Sequence, residues 1–250
     1  MREGRPPGSY GIDAPYVPAI FLALAALSIV LALLITPSLF VTAGVFLACA
    51  LSYLYATLRG KFVGWNKILN GWRGDPPSRL LDVGCGRGAV SILVARHFPE
   101  TEVVGLDLWR SRDQSGNSVE AAERNASEAG VEGRINFETG DMSEMPFPDD
   151  SFDAITASIA IQNLKDRDLR HRVISEMLRV ARPGARIAIV DIQYAAQYEE
   201  DLEGLGADAV EHRRLGPGLW FGTPFTAGTL VSAVAPGSPG PVEPTADPAG

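Results

Sequence analysis

Leu81-Asp82-Val83-Gly84-Cys85-Gly86-Arg87-Gly88 decides the fold, because an apolar strand ends in a carboxylate and opens at once into alternating glycines. Glycine at alternate positions lets the backbone turn sharply without a Cβ clash. It also lets a ligand approach the main-chain N–H groups at the start of the next helix. The stretch reads as a strand, a turn and a helix start that cradle a nucleotide-like ligand. Two further acids, Asp107 and Asp141, fall where the next layers of such a site would need them.

Outward from this turn, strand-like and helix-like segments alternate, the pattern of a parallel sheet with helices on both faces. Strands are expected at Arg79 to Val83, Glu102 to Asp107, Arg134 to Thr139, Phe152 to Ser158 and Arg186 to Asp191. The intervening helices are Ala89 to Phe98, stopped by Pro99, then Ser118 to Ala129, ended at Gly130, and Asp168 to Val180. The last of these carries Val173, Ile174, Met177, Leu178 and Val180 on one apolar side. The turn Arg182-Pro183-Gly184 introduces the fifth strand. A short helix around Tyr194 to Leu205 then precedes two more strands, near Ala209 to Leu215 and Thr229 to Ala235. From Pro236 to Gly250 the chain is rich in Pro, Gly and Ala without periodicity, and disorder is expected.

In the other direction, no charged residue lies between Asp13 and Arg59. The interval divides at Thr36-Pro37-Ser38 into two apolar runs, Val17 to Ile35 and Leu39 to Leu58. Each is about long enough to cross a hydrocarbon core of roughly 30 Å as a helix. A secretory signal would have one shorter run and a cleavage site. The expectation is a two-helix transmembrane hairpin, with a pair of buried helices or a re-entrant hairpin as the alternatives. Arg2 and Arg5 precede the first run, and Arg59, Lys61, Lys67 and Arg73 follow the second, which puts both ends and the remaining domain in the cytoplasm. Between Lys61 and Trp72, the apolar residues Phe62, Trp65, Ile68, Leu69 and Trp72 have helical spacing. Such a helix either lies on the membrane and covers the pocket, or packs on the sheet as a plain linker.

Composition narrows the partners. The 250 residues are 46% hydrophobic and carry a formal net charge of −8, enough for one sizeable α/β core and without the clustered basic patch that nucleic acid requires. Cys49 and Cys85 have neither disulfide-framework nor zinc-site spacing, so no metal is expected.

The ordered motifs resemble the class I S-adenosylmethionine-dependent methyltransferases over roughly Arg79 to Pro236. The likeness rests on the glycine run, on Gly105-Leu106-Asp107, on Gly140-Asp141-Met142, and on Met145-Pro146-Phe147 with Ser151-Phe152-Asp153. Glu176 with Arg179-Val180-Ala181-Arg182-Pro183-Gly184 completes it. A subgroup with an N-terminal membrane hairpin and a loop like Asp113-Gln114-Ser115-Gly116-Asn117-Ser118 is also similar. The resemblance implies a Rossmann-like, seven-stranded, mostly parallel sheet with a terminal antiparallel hairpin, here preceded by the two-helix transmembrane hairpin. It implies S-adenosylmethionine as cofactor. Asp82 would act near the methionine ammonium, directly or through water, above a low loop of Gly84, Cys85, Gly86 and Gly88. Asp107 would accept from both ribose hydroxyls, Asp141 from the adenine amino group, and the Met142 N–H would meet a ring nitrogen. Leu108 would pack on the adenine face, and the Ser158 carbonyl would meet the amino-acid part.

Bland readings stand beside these: Asp82 as a helix cap, Asp107 as a solvated strand-end acid, Asp141 as a turn former and Leu108 as core. Gly84-x-Gly86-x-x-Ala89 with Asp107 also satisfies the dinucleotide fingerprint, so an NAD(P)-binding Rossmann protein is the rival. Asp82, the Asp141-Met142 pair and the late hairpin favour the methyltransferase. Cys85 suits a tight turn rather than a nucleophile. Of His97, His171 and His212, only His212 falls near a substrate face, and Gln162 and Asn163 follow the fourth strand, where relatives place substrate-facing groups.

No catalytic base is assigned, since methyl transfer from a sulfonium is an in-line displacement that positioning can drive, worth roughly 7 to 11 kcal/mol. The expected organisation is a tail over 1–16, the transmembrane hairpin over 17–58, an amphipathic linker helix over 59–78, the methyltransferase domain over 79–236 and a disordered tail over 237–250. The expected acceptor is small or lipid-like, met at the cytoplasmic face of the membrane. A non-catalytic, membrane-tethered cofactor-binding scaffold is the remaining alternative.

Overall fold

The computed structural model describes residues 4–110 and 112–237, so most of the expected C-terminal tail lies outside the described residues. Seven strands form one mixed sheet: β1 (Arg79–Val83), β2 (Glu102–Asp107), β3 (Ile135–Thr139), β4 (Phe152–Ser158), β5 (Ala181–Asp191), β6 (Asp208–Arg214) and β7 (Thr229–Val234). Their order is β3-β2-β1-β4-β5-β7-β6. The β1 to β5 pairings are parallel, and β7 runs antiparallel to both β5 and β6. This is the Rossmann-like sheet with its terminal hairpin.

Alternation along the strands builds two apolar layers. Leu80, Val103, Ala154 and Val190 face one layer, which holds α3 (Lys61–Gly71), α4 (Ala89–His97) and the inner side of α5 (Val119–Glu128). Leu81, Val104, Ile155 and Ile189 face the other, against α6 (Arg167–Val180) and α7 (Ala195–Gly204). Local chemistry sets the helix starts. Ser118 caps α5 by accepting from the Ala121 N–H, and Asp166 caps α6 by accepting from the Asp168 N–H.

The apolar runs form α1 (Tyr16–Leu34) and α2 (Leu39–Tyr55), packed on each other through small residues such as Ala25, Ala32, Ala43 and Ala50. At the far end Leu33, Leu34, Ile35 and Val41 are more than two-thirds exposed. Both helices are long and apolar enough to cross a bilayer, the second continuing from Leu39 to Gly71. A π-helical turn at Ala56–Gly60 joins α2 to α3 without a break. Gly60 is required there, because a Cβ would lie 1.7 Å from the Gly218 carbonyl oxygen.

Three expectations change. The stretch from Lys61 is a continuation of α2 rather than a separate helix, and its apolar face does not lie on a membrane. Phe62, Trp65, Ile68 and Leu69 are buried in the layer that holds α4, as the packed-linker reading had it. Residues 4–16 are more than a tail, since Tyr10 is 1% exposed and packs edge-on against Phe62 at 5.0 Å. Finally, β5 begins at Ala181, with the Arg182-Pro183-Gly184 turn residues absorbed at a register shift opposite Phe152 and Ala154.

Candidate active site

One cleft opens at the carboxyl ends of β1, β2 and β4, where open α/β sheets bind ligands. Asp82, Gly84, Cys85, Gly86, Asp107, Leu108, Asp141, Met142 and Ser158 all line it. Gly88 does not. It caps α4 at φ 75° with its Cα against the Phe137 ring, so its role is to turn the chain into the helix.

The glycine turn is built from both sides. Gly84 and Gly86 have φ of 67° and 53°, the left-handed region that side chains avoid. A Cβ on Gly84 would lie 2.4 Å from the Ala160 Cβ, and one on Gly86 would lie 2.5 Å from Gln114 Oε1. The Gly84 N–H donates to the Leu106 carbonyl at 2.8 Å, and the Gly86 N–H donates to Asp107 Oδ2 at 2.8 Å. The floor is therefore bare backbone tied to β2. Cys85 is buried within it, and burial beside Asp107 and Asp82 pushes its thiol well up, which removes it as a nucleophile at neutral pH.

Asp82 is 1% exposed and both oxygens are engaged. Oδ2 accepts from the Ser91 N–H at 2.9 Å and the Ser91 hydroxyl at 2.6 Å, and Oδ1 accepts from the Thr156 hydroxyl at 2.9 Å. The carboxylate caps α4 from the neighbouring strand, where Gly88 has no side chain to do so. Desolvation raises its pKa to about 6, against the opposing hydrogen bonds from Ser91 and Thr156. The helix-cap reading describes its contacts, and Ser91 and Thr156 are the partners that the sequence reading missed.

Asp107 accepts from three donors, with the Trp109 N–H at 2.6 Å and Asn117 Nδ2 at 3.2 Å on Oδ1 besides Gly86 on Oδ2. Asp141 holds a turn by accepting the Ser143 N–H and hydroxyl on Oδ1, and these bonds keep its carboxyl below the usual range. Its Oδ2 has no partner among the described residues, so turn formation leaves an acceptor for the cleft. Ser158 Oγ accepts from Trp65 Nε1 at 2.8 Å, which draws α3 over the β4 end. Asn163 lines the cleft, while Gln162 is structural: its N–H donates to Asp191 and its Oε1 accepts from the Ile192 N–H. None of the three histidines lines the cleft; His212 pairs with Glu199 and His171 with Asp201.

The remaining wall comes from distant sequence. Residues 11–14 run beside the loop after β2, through an Asp13 to Gln114 bridge and bonds from the Ile12 N–H to Ser115 Oγ and the Ala14 N–H to the Asp113 carbonyl. Asp13 and Lys61 both line the cleft and form a buried ion pair at 2.9 Å. Asp13 also accepts from Thr57 Oγ1 and Gln114 Nε2, and its carbonyl accepts from the Tyr53 hydroxyl. The only signal for this cluster in the sequence is that Asp13 opens the uncharged interval and Lys61 stands two residues after Arg59, which closes it.

Comparisons with known proteins fall on the same region. Residues 80–184 match the family described as a methyltransferase domain. The chain is 35% identical over 117 residues to the ubiquinone/menaquinone biosynthesis C-methyltransferase UbiE of Geotalea daltonii, covering 46% of each chain. It is 36% identical over 141 residues to the 27-O-demethylrifamycin SV methyltransferase of Amycolatopsis mediterranei, covering 56% of this chain and 47% of that one. The chain thus spans just under half the length of these relatives. Among solved structures, a geranyl diphosphate methyltransferase in complex with GPP and sinefungin superposes with a TM-score of 0.54 at 18% identity, covering 69% of this chain and 78% of that one. The [4+2]-cyclase SpnF superposes at 0.55 with 20% identity, covering 69% and 80%. The glycine turn, the acids at β1 and β2 and the one after β3 all fall inside the matched residues, while β6 and β7 lie beyond them. Residues 80–184 thus resemble a methyltransferase domain, and the fold around them is that of known methyltransferase structures.

Proposed function

We propose that this chain transfers a methyl group from S-adenosylmethionine to a small or lipid-like acceptor at the cytoplasmic face of a membrane. The observation that carries the cofactor half is one cleft uniting a bare glycine floor with acceptors at the ends of β2 and β3. The residues fit the group. Asp107 Oδ2 has one further acceptor site for a ribose hydroxyl, and Asn117, whose amide donates to Asp107 Oδ1, holds that carboxylate in place. Asp141 Oδ2 and the Met142 N–H suit the adenine edge, with Leu108 as its apolar neighbour. Ser158 stands at the amino-acid end. Asp82 acts beneath the floor by holding α4 and the glycine turn in register.

When bound, S-adenosylmethionine would supply a methyl carbon already activated by its sulfonium. The chain then has to position the acceptor and exclude water, work that suits a floor without side chains and a roof of α3 and residues 11–14. No histidine reaches the cleft, Cys85 is held as a thiol, and the four acceptor positions of Asp13 are filled. We take positioning as the main source of rate; Asp113 is a further carboxyl in the lining, raised by burial.

The location half rests on the hairpin. Its apolar flanks are exposed, and its foot supplies Asp13 and Lys61 to the cleft, which brings an acceptor dissolved in the bilayer to the reacting end. The relatives' names, one for ubiquinone/menaquinone biosynthesis and one for 27-O-demethylrifamycin SV, agree with an apolar acceptor. The division we favour keeps 17–58 as the membrane hairpin and joins 59–78, with the structured part of 1–16, to the catalytic domain at 79–236.

A non-catalytic scaffold is the second reading, since fold alone does not carry methyl transfer. Calorimetry on the detergent-solubilised chain with S-adenosylhomocysteine and with NAD decides the cofactor. Binding of the first, lost in Asp107→Ala, is expected; binding of NAD alone would overturn the reading. A methyl-acceptor screen over membrane extracts then separates enzyme from scaffold.

A further inference from the structure

We propose that Lys61, clamped by Asp13, is the cation that receives the α-carboxylate of the cofactor's amino-acid end, so that the foot of the apolar hairpin reads the cofactor directly. The inference rests on the S-adenosylmethionine reading above and names one more residue for it.

The hydrogen bonds of the pair are unequal. Asp13 Oδ1 accepts from Lys61 at 3.1 Å and Gln114 at 2.9 Å, and Oδ2 accepts from Thr57 at 2.7 Å and Lys61 at 2.9 Å. The carboxylate is saturated. The ammonium has three donors and spends two on Asp13; among the described residues it bonds no other group. What remains open at this buried pair is one charged N–H in the cleft, so the complementary group is an anion or a strong acceptor.

Position narrows that anion. Lys61 stands one helical turn before Trp65, whose indole donates to Ser158 at the end of β4, so both side chains share the face of α3 that covers the ends of β1 and β4. Gln114 shares Asp13 with Lys61 and accepts from the Arg87 N–H at 2.8 Å, so the cluster also touches the glycine turn. The other cation lining the cleft, Arg110, stands in the loop after β2, and the carboxyls of Asp113 and Asp141 both feel its charge. If Asp107 and Asp141 hold ribose and adenine, the ligand's amino acid falls over β1 and β4. There Lys61 is the one lining cation among the described residues.

A staple alone would not need this arrangement. A buried ion pair does little better than apolar packing for stability, and the strap already has Tyr10, Thr57 and Gln114 contacts.

The test compares S-adenosylmethionine with its decarboxylated form, two ligands that differ only in the carboxylate, by calorimetry on the full-length chain in detergent. The wild type is expected to prefer the carboxylated ligand by about tenfold or more. In Lys61→Gln that preference should disappear through weaker binding of S-adenosylmethionine, with the decarboxylated ligand bound as before. Because Lys61→Gln leaves Asp13 buried without its cation, the double variant Asp13→Asn with Lys61→Gln is measured beside it, and thermal melting reports folding in each. Equal weakening of both ligands would make Lys61 a staple and overturn the inference. So would unchanged binding of both, or a change confined to the KM of the acceptor. A wild type that binds neither ligand fails the cofactor reading itself.

Discussion

Asp82 is the penultimate residue of β1 and Asp191 the last of β5; each is 1% exposed, and burial pushes their carboxyls up to about 6 and about 7. Asp191 Oδ2 accepts from the Gln162 N–H and the Tyr198 hydroxyl, both at 3.1 Å, while Oδ1 has no partner among the described residues. A carboxyl whose pKa is higher folded than unfolded binds more protons in the native state, so stability falls as pH rises from about 4 to about 7. The melting temperature of Asp191→Asn should therefore fall less steeply than that of the wild type between those limits, as followed by scanning calorimetry. A steeper fall would refute the assignment. Asp107 and Asp141 were legible because each stands at a fixed step after a recognisable strand. The Asp13 to Lys61 pair was not, because it joins residues 48 apart with no period between them. In the sequence, the positive charges after the second apolar run carried topology, which hid the contact that one of them makes.

At the scale of elements, the loop after β2 is fastened by the N-terminal strap as well as by its own bonds to Asp107. The Ile12 N–H bond to Ser115 Oγ and the Gln114 bond to Asp13 are both 2.8 to 2.9 Å. Tyr10 anchors that strap beneath Phe62, and removing its ring should cost about 3 kcal/mol or more, by the measure of buried aromatics cut to alanine. Tyr10→Ala should therefore lower the melting point and speed tryptic cleavage after Arg110 and Arg112; an unchanged digestion pattern would show that the loop holds itself. Strands β1, β2 and β4 were readable to the residue, since apolar runs bounded by Pro, Gly and acids leave little choice of register. The passage from α2 into α3 was obscured by Arg59-Gly60-Lys61, which looks like a boundary. The π turn carries the helix through it and turns Thr57 and Lys61 inward to Asp13. Residues 4–15 gave no periodic signal, because their order comes entirely from the surfaces they cross.

For the whole molecule, α1 has 19 residues and so is about 28 Å long, close to the hydrocarbon thickness of roughly 30 Å. Near its base, Phe21 packs against Gly222, and Ser52 donates to the Trp220 carbonyl, so the segment around 220–222 meets the hairpin foot. Carbonate extraction of membranes should leave the protein in the pellet, and release into the supernatant would remove the hairpin from the bilayer. Asp13 lies three residues before α1 and Lys61 one π turn after α2, so the two helices leave the cleft as a rigid pair. In the proposed setting that pair is a lever. A helix pair that tilts to fit a thinner bilayer swings its short arm, and the short arm is the ion pair in the cleft wall. For a hairpin that spans the bilayer as proposed, lipid chain length would then act on the geometry of the cleft wall.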